Sequence, residues 1–405
     1  SLSLVMILFT SFLSLISILC SWYKSLENPG FFYFNILWIT SSTMGIFLAI
    51  DLFLFFFFWE CVLIPIYFIL LLWGLKNKKF IHECKTVANT FFIYSQISGL
   101  ILLLSILGLV CYCYYLTNVW TFNYNILINI PLSLSMEYLL LSGFFLAFII
   151  KMPIVPLHCW LPNVHVQLPT SGSVDLSGFL LKTSVYGLLR FCIPLFPNAF
   201  VVFSKIGLVL GVITIVYASL IACVENNIKR LISYASISHM GILLIGICVN
   251  SALSLKGVII QMVSNGISTA GLFILTGYLY ERLKTYDIRK MDGLSGVISW
   301  IPGLLLFFSV ANVGIPGTGN FVGEFLILLA AFQKFPIVVL LSYIGLIIVV
   351  FYSLNLIQRL YYGKFVSQIT FVKINMLEFI IIFLLIFVLV VIGCYPNVIL
   401  DFFCG

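Results

Sequence analysis

Charge is scarce in this chain. Asp, Glu, Lys and Arg make up 8% of its 405 residues while hydrophobic residues make up 62%, a balance under which a water-soluble domain would precipitate. The mean hydropathy of +1.21 and apolar runs of bilayer length place it among integral membrane proteins. Runs that long favour helices over the alternating strands of a barrel, which are only about ten residues each. Metal frameworks are missing too. The eleven cysteines sit mostly inside spans, singly or as Cys111 and Cys113. No CxxC pair is matched by a second pair or by histidines, which argues against zinc, iron–sulfur and disulfide frameworks. Four histidines, His82, His158, His165 and His239, are too few and too scattered for bis-histidine haem. The expectation is a chain with no metal, no cofactor-binding residues and no redox centre. An Arg-rich, acid-poor import leader is also absent, and the chain opens on Ser1, as if a preceding part had been removed.

What is present is a series of about twelve spans, with cores near 1–21, 31–50, 52–74, 89–113, 138–156, 171–193, 203–222, 231–249, 254–280, 299–332, 336–357 and 375–398. The basic residues divide unevenly between the two sides. One side receives Lys24, Lys76, Lys78, Lys79, Lys85, Lys229, Arg230, Arg282, Lys284, Arg289, Lys290, Arg359, Lys364 and Lys373, and the other only Arg190, Lys205, Lys256 and Lys334. By the positive-inside rule the first side is cytoplasm or matrix, with Ser1 on the opposite side. The net charge of +7 is explained by that asymmetry, and no nucleic-acid surface is required.

Two spans are interrupted. In FFLAFIIKMPIVPLHCWLP, Pro153 and Pro156 follow Lys151; each lacks an N–H and pushes the residue before it out of helical geometry, freeing carbonyls that need other partners. In FFSVANVGIPGTGNFVGEFLILL, Gly314, Pro316, Gly317 and Gly319 break the helix just ahead of Glu324. An odd offset of five spans between the breaks makes the two broken helices run in opposite directions, the mark of an inverted repeat. The organisation predicted is an all-α membrane protein: a leading helix (1–30), a first repeat (31–193) broken near 151–156, a second repeat (194–365) broken near 312–320, and a C-terminal helix (366–405). The plainer reading of the second break is a loop between two short helices.

Ionisable residues inside spans are costly, by about 2.5–3.5 kcal/mol for a lysine at the bilayer centre, and survive where they face protein, a partner charge or water. Glu60, Lys151, Lys182 and Glu324 meet that description. An unpaired Glu60 would rather take a proton than stay ionised, and a nearby ammonium reverses the preference, so a Glu60–Lys151 pair is a two-state element able to pass protons. Lys182 lies too far from both span ends to snorkel comfortably. His158 and His165 after the first break could relay protons or tie down freed carbonyls. His239 sits among Ser233, Ser236 and Ser238, which could hold a short water chain; a histidine satisfied by neighbouring helices is the plainer reading. Asp175 reads as a cap or packing contact near the start of its span.

These motifs, FLAIDLFLFFFFWECVLIPIYFILLLWG, AFIIKMPIVPLHCWLPNVHVQLPTSGSVDLSGFLLKTSVYGLLRF, NNIKRLISYASISHMG and GIPGTGNFVGEFLIL, resemble the antiporter-like membrane subunits of respiratory complex I (NADH:ubiquinone oxidoreductase), from about residue 30 to 365. The resemblance implies that Glu60 and Lys151 form the family's glutamate–lysine pair, that Lys182 is its central lysine and that Glu324 is the terminal proton-exchanging site. An acid at the last place resembles the subunit-4 branch. Two departures stand out. The family usually has about two further helices before the point where Ser1 begins. Asn265 stands where relatives commonly have histidine, so a relay there would need water, with Lys284 or Lys256 as candidates to take part.

The function expected is proton translocation through Glu60, Lys151, Lys182 and Glu324, with His158, His165 and His239 as possible relays. Redox chemistry elsewhere in the complex would drive it, with NADH, FMN, iron–sulfur clusters and ubiquinone held by other subunits. Expected partners are other membrane subunits of complex I, especially the antiporter-like subunits 2 and 5, and lipids. A Phe-rich composition (39 Phe) suggests AT-rich coding, which favours a mitochondrial inner membrane, with a bacterial plasma membrane as the alternative. The rival functions are a subunit of a multi-chain sodium/proton antiporter, a quinone-binding redox enzyme, and a structural membrane scaffold. The redox enzyme lacks haem or cluster ligands, and the scaffold leaves the buried charges unexplained.

Overall fold

The computed structural model describes residues 2–22, 26–75, 81–291, 293–294, 300–361 and 375–404. Lys24, Lys76, Lys78, Lys79, Lys364 and Lys373 of the topology argument lie outside them. The principal helices are α1 (Leu2–Ser21), α2 (Pro29–Leu48), α3 (Leu52–Trp73), α4 (Ile81–Thr117), α5 (Leu134–Lys151), α6 (Trp160–Gln167), α7 (Thr170–Leu195), α8 (Pro197–Val224), α9 (Ile228–Val249), α10 (Ala252–Leu283), α11 (Trp300–Val313), α12 (Gly319–Lys334), α13 (Pro336–Tyr361) and α14 (Met376–Cys394). Among the described residues, eleven helices are long and apolar enough to cross a membrane. The pair α11 and α12 occupies the tenth predicted span, so about twelve crossings is the right reading of the hydropathy.

Local chemistry sets several helix starts. Asp51 accepts from the N–H groups of Phe53 and Leu54 at 2.9 and 3.1 Å, Asn227 from those of Lys229 and Arg230 at 3.0 and 3.4 Å, and Ser251 forms a reciprocal capping box with Ser254. Each satisfies amides that the first helical turn leaves free. A longer-range cap joins α5 to α8: the Glu137 carboxylate accepts from Asn198 Nδ2 and from the Ala199 amide, both at 3.0 Å, at the positive end of the helix dipole. Glu137→Ala is expected to weaken this joint by about 1–3 kcal/mol and to lower the temperature at which the protein unfolds. An unchanged unfolding temperature, followed by tryptophan fluorescence, would show that the cap contributes nothing.

Burial sorts the helices. Residues from Gly257 to Leu279 of α10 are buried without a gap, and α10 is enclosed by α1, α7, α9, α11, α12 and α14. A helix apolar nearly all round belongs at such a centre. Its polar side chains, Gln261, Ser264, Asn265, Ser268, Thr269 and Thr276, are therefore held away from lipid. Peripheral helices instead expose large apolar side chains such as Leu104, Ile347 and Phe351, as a lipid-facing surface requires. A buried ion pair, Arg282 to Glu378 at 2.8 Å, fastens α14 to the end of α10.

Both sequence breaks are breaks in the structure. Helix α5 stops at Lys151, and helix resumes only at Trp160. The freed groups find partners: Trp160 Nε1 donates to the Ile150 carbonyl at 3.1 Å, and the Val155 amide donates to Thr214 Oγ1 at 3.1 Å. Between α11 and α12, Gly314 and Gly317 take φ of +80° and +96°, the left-handed region that glycine enters without a Cβ clash. Asn320 closes that gap by donating to the Ala311 carbonyl at 3.0 Å. One feature has no counterpart in the hydropathy: α7 contains two π-helical turns, Leu176–Leu180 and Leu188–Cys192, and Lys182 follows the first directly. Such turns are frequent at functional sites.

Candidate functional site

Lys151, at the last position of α5, is buried and points across to α3. Its ammonium lies 3.5 Å from the centroid of the Trp59 ring and donates to the Trp59 carbonyl at 3.4 Å. A desolvated cation over an indole face is stabilised by about 2 kcal/mol. Glu60 follows Trp59 in the chain but turns toward α4, where Gln96 Nε2 donates to its Oε2 at 2.9 Å. Its Oε1 sits only 1.6 Å from where a side chain at Gly99 would have its Cβ, so a larger residue there would displace the carboxyl group. Glu60 and Lys151 are close enough for each to feel the other's charge but are not in ion-pair contact. Glu60 is held by Gln96 and Lys151 by Trp59 instead.

Lys182 is fully buried in α7. It donates to the Ser177 carbonyl, which the adjoining π-helical turn supplies, and to Asn265 Oδ1 at 3.3 Å. Asn265 thus touches Lys182 directly. Lys256 and Lys284 lie nine and nineteen residues away along α10, about 14 and 28 Å at 1.5 Å per residue, and take no part at Asn265.

Glu324, in the second turn of α12, is buried. Gln261 Nε2 donates to its Oε1 at 2.8 Å, and His239 Nδ1 approaches the same oxygen at 3.0 Å, an ion pair when the imidazole carries a second proton. The structure thus joins His239 to Glu324, a pairing across two helices that local sequence could not reveal. The nearby serines bond within their own helix. Ser233, Ser236 and Ser238 donate to the carbonyls of Lys229, Ser233 and Ala235 in their own helix.

The other histidines divide. His165 is fully buried, stacks on Phe273 with centroids 4.5 Å apart, has neither ring nitrogen hydrogen-bonded among the described residues, and is within electrostatic range of Lys229 and Lys182. It does not tie down freed carbonyls. His158 packs edge-on against Tyr217, with centroids 5.2 Å apart, and bonds to the Pro156 backbone within the first break. Asp175 is no cap: α7 begins at Thr170, and the carboxylate is buried within the helix beside Ser17 of α1. Its helix-packing role stands.

Sequence reasoning missed four side chains at this site: Trp59, Gln96, Gln261 and Lys229. For the two glutamines the signal was available, since an amide inside an apolar span also needs a partner. Lys229 was grouped with loop lysines, but it is buried, donates to the Leu168 carbonyl at 2.6 Å and lies 4.7 Å from the Tyr286 ring centroid. Arg230, one position on, has a side chain 42% exposed. Successive helical residues point about 100° apart, so one of the doublet faces in and the other out. Beside them a cavity of about 1650 Å³ opens on the basic face, lined by Glu83, Glu225, Arg230, Lys284, Asp287 and Arg289 among others. Arg289 donates to both Asp287 oxygens at 3.0 Å and so holds that carboxyl below its usual range.

The profile of a family described as NADH:quinone oxidoreductase/Mrp antiporter, transmembrane, matches residues 49–352. The chain belongs to this family. The antiporter-type match spans both helix breaks and the four residues Glu60, Lys151, Lys182 and Glu324. NADH-quinone oxidoreductase subunit M of Escherichia coli (strain K12) is 51% identical over 403 residues, covering 99% of this chain and 79% of that protein. A chloroplast relative, NAD(P)H-quinone oxidoreductase chain 4 of Physcomitrium patens, is 38% identical, covering 99% of this chain and 80% of that protein. Among solved structures, a chain of respiratory complex I from Thermus thermophilus with bound NADH superimposes with a TM-score of 0.88 at 29% identity, covering 98% of this chain and 81% of the other. Members of this family are antiporter-like membrane subunits, and this chain has their multi-pass helical fold.

Proposed function

We propose that the chain is the proton-translocating subunit M, or 4, of an NADH:quinone oxidoreductase, a non-redox part of the enzyme driven by electron transfer in other subunits. Protons would move along Glu60, Lys151, Lys182 and Glu324, with His239 as the exchange partner of Glu324 and His165 as a side relay between Lys229 and Lys182. The observation that carries the reading is the set of buried ionisable groups at or beside helix irregularities: Lys151 at the first break, Lys182 after a π-helical turn and Glu324 after the second break. Irregular backbone and intramembrane charge at one depth are how membrane proteins build ion pathways. The paired breaks support two inverted repeats, over 31–193 and 194–365. The expected neighbours are the antiporter-like subunits 2 and 5, with NADH, FMN, clusters and quinone bound elsewhere. The 51% bacterial relative favours a bacterial plasma membrane over the mitochondrial inner membrane that composition suggested.

A native gel of gently solubilised membranes, stained for NADH oxidation and read by peptide mass spectrometry, tests the assignment. Co-migration with a large NADH-oxidising complex is expected. A smaller, NADH-inactive band whose transport depends on sodium would transfer the chain to the sodium/proton antiporters of the same family.

A further inference from the structure

The cavity of about 1650 Å³ beside Arg230 has no part in the proton path. It lies at the basic face, where α4 begins, where α8 and α10 end, and against the half-helix α6 that follows the first break. Four basic and three acidic side chains line it, and two pairs of them answer each other. Arg289 donates to both oxygens of Asp287, and Arg230 lies 3.7 Å from Glu225. Lys284, Lys290 and Glu83 are left, all exposed and without an ion pair among the described residues. Arg230 also has donors to spare, since a guanidinium carries five N–H groups and the bond to Asn163, at 2.7 Å, takes one. The opposite wall is apolar. Tyr217, Leu220 and Val224 of α8 are exposed and, at spacings of three and four residues, share one face of the helix, so this wall runs from the charged rim toward the bilayer. Tyr280 and Tyr286, stacked with centroids 4.3 Å apart, also line the cavity. Tyrosine, apolar in body and polar at its tip, suits the level of lipid headgroups.

We propose that this cavity binds the headgroup of one phospholipid that carries a primary amine, phosphatidylethanolamine, with an acyl chain laid on the α8 wall. The unpaired charges match that headgroup in sign and number. Its phosphate takes Lys284, Lys290 and the spare N–H groups of Arg230, and its ammonium donates to Glu83. A choline headgroup has no N–H to donate, and a headgroup with negative charge alone meets repulsion from Glu83. The apolar stripe of Tyr217, Leu220 and Val224 gives the chain a dry surface. A lipid so placed touches α4, α6, α8 and α10 together and braces the half-helix after the first break. The inference stands apart from the proton-transfer reading, because none of these residues belongs to the proposed path.

The test is photolabelling of the purified complex that contains this chain, reconstituted in vesicles doped with phosphatidylethanolamine, phosphatidylcholine or phosphatidylglycerol. Each probe carries a diazirine near the glycerol end of one acyl chain, and labelled peptides are mapped by mass spectrometry. The ethanolamine lipid is expected to label residues 217–224, and the choline lipid to label them about tenfold less. Lys284→Gln combined with Lys290→Gln should lower that labelling by roughly tenfold or more. Glu83→Gln should lower labelling by the ethanolamine lipid and raise labelling by the glycerol lipid, which separates the amine contact from the phosphate contact. All three side chains are exposed, so the variants keep the fold. Equal labelling by the ethanolamine and choline lipids would mean ordinary contact with the surrounding bilayer and overturns the site. So does labelling that the double lysine variant leaves unchanged. A third contrary result is the absence of label from all three lipids with another polypeptide cross-linked to 217–224, which would make the cavity a protein interface instead.

Discussion

Lys151→Ala is expected to abolish NADH-driven proton pumping while the complex still assembles: pumping should fall by at least about a hundredfold, and complex abundance should stay within about twofold. The asymmetry follows from what the ammonium touches. Its partners are a ring face and one carbonyl of Trp59, so its removal leaves a single acceptor unpaired, at a cost of about 1–3 kcal/mol, and returns the cost of burying a cation. Pumping has no such compensation, because Glu60, held by Gln96 on α4, then faces no mobile charge. Lys151→Met, closer in volume, is expected to behave in the same way and separates loss of charge from the cavity left by alanine. Equal loss of assembled complex and of pumping would give the lysine a structural role only.

Lys182→Met is the second large effect. The lysine is fully buried and bonded to the Ser177 carbonyl and to Asn265, with its charge supplied to the middle of the path by no hydrogen-bonded neighbour. Methionine fills the same space without a proton. Pumping is expected to fall by about a hundredfold or more, and NADH oxidation by a water-soluble acceptor, which needs only the redox subunits, to be unchanged. Proton flux at the unmodified rate in this variant, together with Glu60→Gln, would revive the scaffold reading.

Spans, breaks and the four intramembrane charges were legible because each is local: hydropathy reports length, proline and glycine report interruption, and a lone charge in an apolar run reports its own cost. The partners were not. Trp59 and Gln96 lie on different helices from the lysine and glutamate they hold, and the meeting of His239 with Glu324 depends on how α9 packs against α12. The π-helical turns of α7 change the phase of a span without changing its composition, so hydropathy passes over them. Lys229 was misjudged because charge counting treats a basic doublet as one object, whereas helix geometry turns its two members about 100° apart. Asn265 was picked out only by the resemblance, as an asparagine where relatives commonly have histidine, and its contact with Lys182 depends on how α7 packs against α10.

The most direct measurement is the number of protons moved per NADH oxidised by the purified complex in sealed vesicles, compared between the unmodified chain and its Lys151→Ala and Lys182→Met forms. The account predicts a ratio near zero for both variants, with the complex intact on a native gel. An unmodified ratio in both would contradict it and place proton movement outside this chain's line of buried charges.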